Sequence, residues 1–300
     1  MPASTPSSCA FVWAAGHVGR GARVVRARVL RGGIASTVHD LTVERRGRRS
    51  HLVLRRYLGG GRYARTAVRN EAEVLSALAP AGASAPRLVA ADPDGIDAGC
   101  PALAMTRLPG RVCLTPPDPD RWVAEIAAQL CRIHQLPSMG IAFAPWMDPA
   151  SLRVPAWSRR KRAWAEAIDV YRAGIPVGDT TFMHGDFQHF NILWSRGRLS
   201  GVVDWVGGSN GPPEVDVGHC RLNLAVLFST ERAERFRLAY EAGSGRALDP
   251  RWDVAALLAY IAHERWQNFI PMQVAGRAPV DLDGMDGRVE ELLVGTLRRM

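Results

Sequence analysis

Polar residues that could handle a proton and a metal ion are concentrated between residues 183 and 205. A short loop there contains Asp186, and Asn191 follows it by five residues. An apolar hairpin then runs on to a second aspartate, Asp204. Because a hairpin brings its two ends together, we expect Asn191 and Asp204 to meet beside Asp186. Two carboxylates and an amide oxygen at one point suit a proton acceptor and the ligands of a hard cation.

Phosphoryl transfer is the chemistry that this combination predicts. The reaction depends mainly on positioning and charge neutralisation, so it requires a base, oxygen ligands for Mg²⁺, a cation on the phosphates and a flexible cover. Asp186 suits the base, and Asn191 and Asp204 suit the metal. Two alternatives remain open. His184 and His189 could join Asp186 in a zinc site, or the loop could be a turn held by local hydrogen bonds.

The composition is that of a globular protein with a substantial core. Of the 300 residues, 47% are hydrophobic and 22% are charged, which does not fit a disordered chain. No apolar run approaches the length of about 18 residues that a membrane span needs, and residues 1–8 lack the basic start of a signal peptide. The five cysteines are scattered without metal-binding spacing, which indicates reduced thiols in the cytoplasm.

The net positive charge of the chain lies entirely in its first third. Residues 1–110 hold 16 arginines against seven acids, whereas the remaining 22 basic residues are balanced by 22 acids. Of all 38 basic residues, Lys161 is the single lysine. A basic first lobe could hold nucleotide phosphates or contact nucleic acid. The sequence contains no helix-turn-helix or aromatic-interleaved motif, so it does not favour nucleic acid as a partner.

Alternating apolar and polar residues predict a small antiparallel sheet in this first third. Its strands are expected at residues 23–30, 37–44 and 50–57, followed by a helix at 65–78. A short strand is expected at 86–91 and a buried strand at 101–108. The rest of the chain predicts helices at residues 118–134, 155–173, 214–228, 231–242, 251–269 and 285–300. This is an α+β arrangement with a loose N-terminal leader at 1–22, a first lobe at 23–110 and a mostly helical second lobe at 111–300.

The loop and hairpin resemble those of the aminoglycoside phosphotransferase family. The sequence H-G-D-F-Q-H-F-N-I-L at 184–193 is followed by G-V-V-D-W at 201–205. The D-x-x-x-x-N spacing is also that of the protein-kinase catalytic loop. Glycine follows the histidine where protein kinases have arginine, and tryptophan follows the last aspartate, which favours this family over protein kinases. Looser matches lie at residues 30–34, 53–56, 70–75, 104–110 and 214–219.

The resemblance implies a bilobal, protein-kinase-like fold, with a small antiparallel-sheet N-lobe and a mostly helical C-lobe. It implies ATP or GTP as the phosphate donor and Mg²⁺ as the cofactor. Asp186 would be the catalytic base, and Asn191 and Asp204 would be the metal ligands. Backbone groups near Met105 and Arg107 would bind the adenine.

The resemblance also assigns residues to the phosphates. Gly32 and Gly33 would belong to a flap that approaches them closely, although an ordinary hairpin turn is the alternative. Arg55 would contact the α- and β-phosphates and be held by Glu71, with Glu73 as the rival partner. The best-known members carry lysine at the position of Arg55. Arginine keeps its charge there but presents a bulkier planar group than an ammonium.

The predicted function is transfer of the γ-phosphate of ATP to a hydroxyl of a small molecule, either an aminoglycoside-like antibiotic or a metabolite. An antibiotic acceptor would make the protein a resistance enzyme. The alternative is a catalytically weak or silent kinase-like protein that binds nucleotide, which the arginine at position 55 suggests. A polycationic acceptor would need an acidic pocket, with candidates Glu231, Glu234, Glu264, Asp281, Asp283, Asp286, Glu290 and Glu291. An apolar acceptor would instead suit Trp266, Phe269 and Met272.

Overall fold

The chain folds into two compact units. The structure, a computed structural model, describes residues 8–31, 35–145, 147–175, 178–262 and 266–300. The first unit comprises Met1–Gly110 and Ser200–Gly207, and the second comprises Arg111–Leu199 and Gly208–Met300. In the described part of the chain, no helix is both long enough and apolar enough to cross a membrane.

The first unit is built on one antiparallel sheet of five strands. These are β1 (Arg23–Leu30), β2 (Thr37–Arg45), β3 (Arg48–Arg56), β4 (Leu88–Asp92) and β5 (Ala102–Thr106), in the spatial order β1-β2-β3-β5-β4. The alternation in the sequence places Leu41, Val43, Leu52 and Leu54 in the core. Each strand lies within two residues of its predicted bounds.

The helix of this unit, α2 (Gly61–Leu78), begins four residues earlier than predicted. Its buried residues recur at three- and four-residue spacing, including Val68, Val74 and Leu75, so one apolar face packs on β4 and β5. Glu71 lies on the same buried face. A carboxylate in that position needs a charged or hydrogen-bonding partner, because burying it alone is costly.

The expected loose leader is wrong for its central part. Residues Ser8–Gly16 form a helix, α1, and not a loose segment. Ala10 and Ala14 are fully buried in the same core cluster as Leu41 and Leu54. The small side chains allow the helix to approach the sheet closely, and burial there stabilises a short segment that has no charge pattern or amphipathic period to reveal it.

The second unit is mostly helical. Its helices are α3 (Pro119–His134), α4 (Lys161–Arg172), α5 (Glu214–Leu227), α6 (Thr230–Ser244), α7 (Pro250–Ala262), α8 (Trp266–Val274) and α9 (Met285–Leu297). Helix α5 is buried over nearly its whole length and packs against α6, α7 and α9. One prediction needs correction, because the helix expected from residue 155 begins at Lys161. The helix expected at 251–269 falls on α7 and the start of α8, and residues 263–265 between them lie outside the described residues.

Short strands flank the loop that contains Asp186. Strands β6 (Thr181–Met183) and β9 (Ser209–Gly211) pair antiparallel, and β7 (Ile192–Ser195) and β8 (Arg198–Val202) form the predicted hairpin. The lobe predicted as continuous from 111 to 300 is interrupted, because residues 200–207 belong to the first unit. The Val202 N–H donates to the Ser84 carbonyl there at 2.8 Å.

A glycine makes this return to the first unit possible. A Cβ on Gly201 would lie 2.8 Å from the Ser84 carbonyl oxygen and 2.6 Å from Leu108 Cδ1. The main chain can therefore approach its neighbours only because position 201 has no side chain. The described residues together have the α+β composition that the sequence predicts.

Candidate active site

The loop after β6 is fixed by main-chain hydrogen bonds to a buried carboxylate on α5. The N–H groups of His184 and Gly185 donate to Asp216 at 2.7 and 2.8 Å. Gly185 has a φ of 79°, in the left-handed region that glycine adopts without strain. The Asp186 N–H donates to His184 Nδ1 at 3.2 Å. His184 thus supports the loop through its ring and its main chain.

Asp186 is held by three side-chain donors of the second unit. Gln188 Nε2 and His219 Nε2 contact its Oδ1 at 2.9 and 2.8 Å. Asn191 Nδ2 donates to its Oδ2 at 2.9 Å, and also to its carbonyl oxygen at 2.9 Å. The Asp186 side chain nevertheless remains 40% exposed. The carboxylate is therefore fixed in orientation and still accessible to another molecule.

The electrostatics of Asp186 keep it ionised at neutral pH. Burial acts to raise the pKa of Asp186, but the hydrogen bond and the charge of His219 outweigh it and hold the pKa below its ordinary value. The same pair acts in reverse on the histidine. Burial acts to lower the pKa of His219, and Asp186 raises it above the usual value.

Behind the loop, Asp216 connects three elements of the second unit. His134 Nε2, at the end of α3, lies 3.2 Å from Asp216 Oδ2, and His134 Nδ1 lies 2.7 Å from the hydroxyl of Tyr240 on α6. Asp216 is fully buried. Burial acts to raise its pKa, but the hydrogen bond from His134 and the N–H of His184 hold the pKa below the ordinary value. Asp216 is placed to organise the loop, not to meet a substrate.

A second group of charged residues lies in the first unit. Arg55 Nη1, on β3, lies 2.6 Å from Asp204 Oδ1 and 3.2 Å from Glu71 Oε2. The Trp205 N–H donates to Glu71 Oε1 at 3.3 Å. Asp204 has a φ of 70°, a left-handed conformation that non-glycine residues adopt at an energetic cost and that is concentrated at functional sites.

In this group, the guanidinium of Arg55 forms ion pairs with two carboxylates. Burial acts to lower the pKa of Arg55, but Asp204 and Glu71 hold it well above its ordinary value. Burial raises the pKa of Glu71 to about 7, against the opposing effect of Arg55. The partner of Arg55 is therefore Glu71, as the family resemblance implies, whereas the rival Glu73 is exposed on α2.

The residues expected to bind the nucleotide base lie on and after β5. Met105 is buried, and its strand is paired with β3 on one side and with β4 on the other. The Arg107 N–H donates to the His51 carbonyl at 3.3 Å, so it could donate to an adenine only if that hydrogen bond opened. The expected flap residues Gly32 and Gly33 lie outside the described residues. Their roles stay predictions.

The zinc alternative is wrong for the described residues. Within residues 8–31, 35–145, 147–175, 178–262 and 266–300, no three His, Cys, Asp or Glu side chains are grouped as a metal site. His189 is fully buried, with its ring next to those of Trp122, Phe190 and Phe228. Burial lowers the pKa of His189 to about 3, so it is a neutral packing residue.

The structure thus brings Asp186 together with Asn191, and Arg55 together with Glu71 and Asp204. The expectation that Asn191 and Asp204 meet at one cation stays a prediction. Sequence reasoning missed two residues that contact Asp186, namely Gln188 and His219. The available signal was weak: Asp216 and His219 are three residues apart, so they share a face of α5 once that helix is known to carry the loop.

Comparison with known proteins assigns the family. The sequence matches the phosphotransferase enzyme family, APH, over residues 29–258. The chain therefore belongs to this family, which confirms the resemblance and the predicted enzyme class. Acyl-CoA dehydrogenase family member 10 of Mus musculus is 28% identical over an alignment 175 residues long, which covers 51% of this chain and 16% of the mouse protein.

Solved structures confirm the fold at low sequence identity. A putative aminoglycoside phosphotransferase of Ralstonia eutropha has a TM-score of 0.60 at 16% identity, covering 91% of this chain and 93% of its own. The macrolide 2'-phosphotransferase MphH of Brachybacterium faecium has a TM-score of 0.56 at 20% identity, covering 90% and 98%. A thermostable mutant of aminoglycoside phosphotransferase APH(4)-Ia, in a ternary complex with ADP and hygromycin B, has a TM-score of 0.61 at 16% identity, covering 97% and 98%. The predicted kinase-like α+β fold is therefore confirmed.

Proposed function

We propose that this protein transfers the γ-phosphate of ATP to a hydroxyl group of a small molecule, with Asp186 as the base. The observation that carries the proposal is the state of Asp186: a carboxylate with a lowered pKa, fixed by three side-chain donors, and 40% exposed. A general base needs this combination of charge, orientation and access to the proton that it removes.

In the proposed reaction, the acceptor oxygen forms a bond with the γ-phosphorus. The bond between that phosphorus and the oxygen bridging to the β-phosphate breaks, and the nucleoside diphosphate leaves with the electron pair. Asp186 accepts the proton of the hydroxyl. Since the protein contributes little covalent chemistry to such a transfer, its main tasks are to orient the hydroxyl and to neutralise charge on the phosphates.

We assign the phosphate contact to Arg55, held by Glu71, and the Mg²⁺ ligands to Asn191 and Asp204. The donor set fits the ion, because Mg²⁺ prefers carboxylate and amide oxygens. Asn191 contacts Asp186 through its amide nitrogen, so its amide oxygen is not used in those bonds. The Asp204 side chain is 37% exposed beside Arg55. When bound, the ion would neutralise charge on the transferred phosphate.

The acidic residues that could have formed a pocket for a polycation are largely engaged within the second unit. Glu234 forms ion pairs with Arg221 and Arg237. Asp281 pairs with Arg288, and Glu290 accepts hydrogen bonds from Ser158 and Trp164. Glu264 lies outside the described residues.

An acceptor that is not a polycation is therefore the better fit. A cavity of about 810 Å³ in the second unit has Trp157, Tyr260 and Trp266 in its lining, together with Arg153 and Gln267. Such a mixed lining suits a ligand that carries both apolar and polar groups. Macrolide and aminoglycoside acceptors, which the names of the similar structures record for those proteins, are the first compounds to compare. Metabolites with free hydroxyl groups form the second set.

A nucleotide-binding protein without turnover is the second candidate. The observation that favours it is the 2.6 Å contact between Arg55 Nη1 and Asp204 Oδ1. In this contact the residue expected to bind the phosphates is bonded to a residue expected to bind Mg²⁺. Magnesium-dependent binding of ATP or GTP, without phosphate transfer to any acceptor, would support this candidate over the enzyme.

The test is a screen for ATP and GTP consumption against hydroxylated antibiotics and metabolites, followed by Asp186→Asn. We expect kcat to fall by about 10²- to 10⁴-fold, while nucleotide binding and the melting temperature persist. Asp169→Asn is the matched control, since Asp169 is an exposed aspartate on α4, and it should retain full turnover. Undiminished turnover in Asp186→Asn would contradict the assignment of the base.

A further inference from the structure

The hydrogen bonds around Asp186 are distributed unequally between its two oxygens. A carboxylate offers about four acceptor positions, two on each oxygen. Oδ1 is contacted by Gln188 and His219, which fill both of its positions, whereas Oδ2 receives one bond from Asn191. One acceptor position is therefore left, and it is on Oδ2.

The contact with His219 fixes which ring nitrogen carries a proton. An ionised carboxylate can only accept hydrogen bonds, so His219 Nε2, 2.8 Å from Asp186 Oδ1, must bear hydrogen. The amide nitrogen of Asn223 lies 3.2 Å from the same ring nitrogen. Since both are then donors, that approach is no hydrogen bond, and the Asn223 amide bonds instead to the His219 carbonyl at 3.0 Å. Asp186 is left as the acceptor of the His219 ring.

We propose that His219 is a positioning residue for the base: its Nε2–H, together with Gln188, occupies Asp186 Oδ1, so that the acceptor hydroxyl delivers its proton to Oδ2. This role rests on the proposed phosphotransfer. It assigns to α5 a second task beside the scaffolding by Asp216, because one face of this helix carries both residues.

The assignment to Oδ2 follows from what each protonation would disturb. A proton arriving on Oδ1 would have to displace one of the two N–H donors already bound there. A proton arriving on Oδ2 occupies the free position, and the hydrogen bonds of Gln188 and His219 to Oδ1 persist in the carboxylic acid. The protein therefore need not rearrange while the proton moves, which is the advantage of preorganised donors in catalysis.

The test compares His219→Phe with His219→Gln. Phenylalanine keeps a planar ring but has no donor, whereas the glutamine amide nitrogen falls near the position of Nε2 and donates without titrating. We expect Phe to lower kcat on the order of 10- to 100-fold, the usual range for one hydrogen bond to a charged group. The KM for ATP should be unchanged, and Gln should retain most of the wild-type kcat.

Three results would overturn the positioning role. The first is a Phe variant as active as the wild type, and the second is an equal loss in Phe and Gln, which would indicate packing. If His219→Phe fails to fold, His219→Asn replaces it, because the shorter asparagine amide does not reach Asp186. The third result that would overturn the role is full activity of this His219→Asn variant. A wild type that phosphorylates no acceptor would overturn the proposed function itself, whereas these results leave it standing.

Discussion

The two units hold their functional carboxylates in different ways. In the first unit, Glu71 and Asp204 share one fixed cation, Arg55, and Glu71 also accepts the Trp205 N–H. In the second unit, Asp186 and Asp216 receive hydrogen bonds from main-chain N–H groups, amide side chains and histidines. The first arrangement concentrates the compensating positive charge in a single residue. The second distributes it over many donors, so the loss of one donor leaves the others in place.

The second unit also separates two tasks between two aspartates. Asp216 is fully buried and accepts main-chain N–H groups of the loop, whereas the Asp186 side chain is 40% exposed and is contacted by the side chains of Gln188, Asn191 and His219. Burial with main-chain donors suits a residue that holds the loop in place, since a movement of the Asp216 side chain would break the hydrogen bonds from the loop. Exposure with side-chain donors suits a group that must exchange a proton. Variants at these positions can therefore be ranked by how much each should cost.

The largest effect on stability is expected for Arg55→Met. Removing the cation leaves Glu71, whose side chain is 1% exposed, without its ion-pair partner. Breaking a buried pair in this way typically costs about 3–5 kcal/mol. Unfolding in urea, followed by fluorescence and circular dichroism, measures the loss. Arg55→Lys keeps a positive charge and is the control that should lose clearly less. A methionine variant as stable as the wild type would show that the two carboxylates do not depend on this cation.

A smaller but still large loss is expected for Asp216→Asn. The asparagine can accept through its oxygen, but its amide hydrogens would then face a main-chain N–H or the His134 ring that now donates to Asp216. Each buried group left unsatisfied costs about 1–3 kcal/mol, so we expect a total loss of about 3 kcal/mol. Turnover should also fall, because the loop carrying Asp186 loses its support.

The pH dependence checks that this loss comes from the charged form. The pKa of Asp216 is lower in the folded protein than its ordinary value of 3.8. Its stabilising contribution is therefore fully present above pH 4 and is lost as the pH falls through the lowered pKa. The difference in unfolding free energy between wild type and Asp216→Asn should be constant from pH 7 to about pH 5 and shrink in more acidic solution. A difference that stays constant to about pH 3 would exclude this origin.

Local patterns in the sequence predicted much of this arrangement. Alternation located the first three strands of the sheet, and the apolar spacing at residues 65–78 predicted the amphipathic helix α2. The spacing of Asp186 and Asn191 indicated a catalytic loop, and the two residues are hydrogen-bonded. These features depend on residues that are close in sequence or repeat with a fixed period, so one sequence is enough to reveal them.

Features that depend on tertiary packing were not predicted. Helix α1 is a short, mostly apolar segment without an amphipathic pattern, and burial of its alanines stabilises it. Residues 200–207 join the first unit through contacts with Ser84 and Pro109. His219 follows Asp186 by 33 residues and reaches it only because α5 packs against the loop. The sequence gives no local cue for such meetings, which explains why the donor to the base was missed while the base itself was found.

The smallest effect is expected for Tyr240→Phe, which removes the hydroxyl 2.7 Å from His134 Nδ1. Losing one neutral hydrogen bond costs about 1 kcal/mol, and Tyr171→Phe, whose hydroxyl makes a longer contact of 3.4 Å with the Met147 carbonyl, is the control that should lose less. Because Asp216 keeps its main-chain donors in the variant, Asp186 should keep its position and kcat should change less than about threefold. A drop of tenfold or more, at a temperature where the variant is fully folded, would mean that the scaffold and the base are coupled through His134 and that the two aspartates do not act separately.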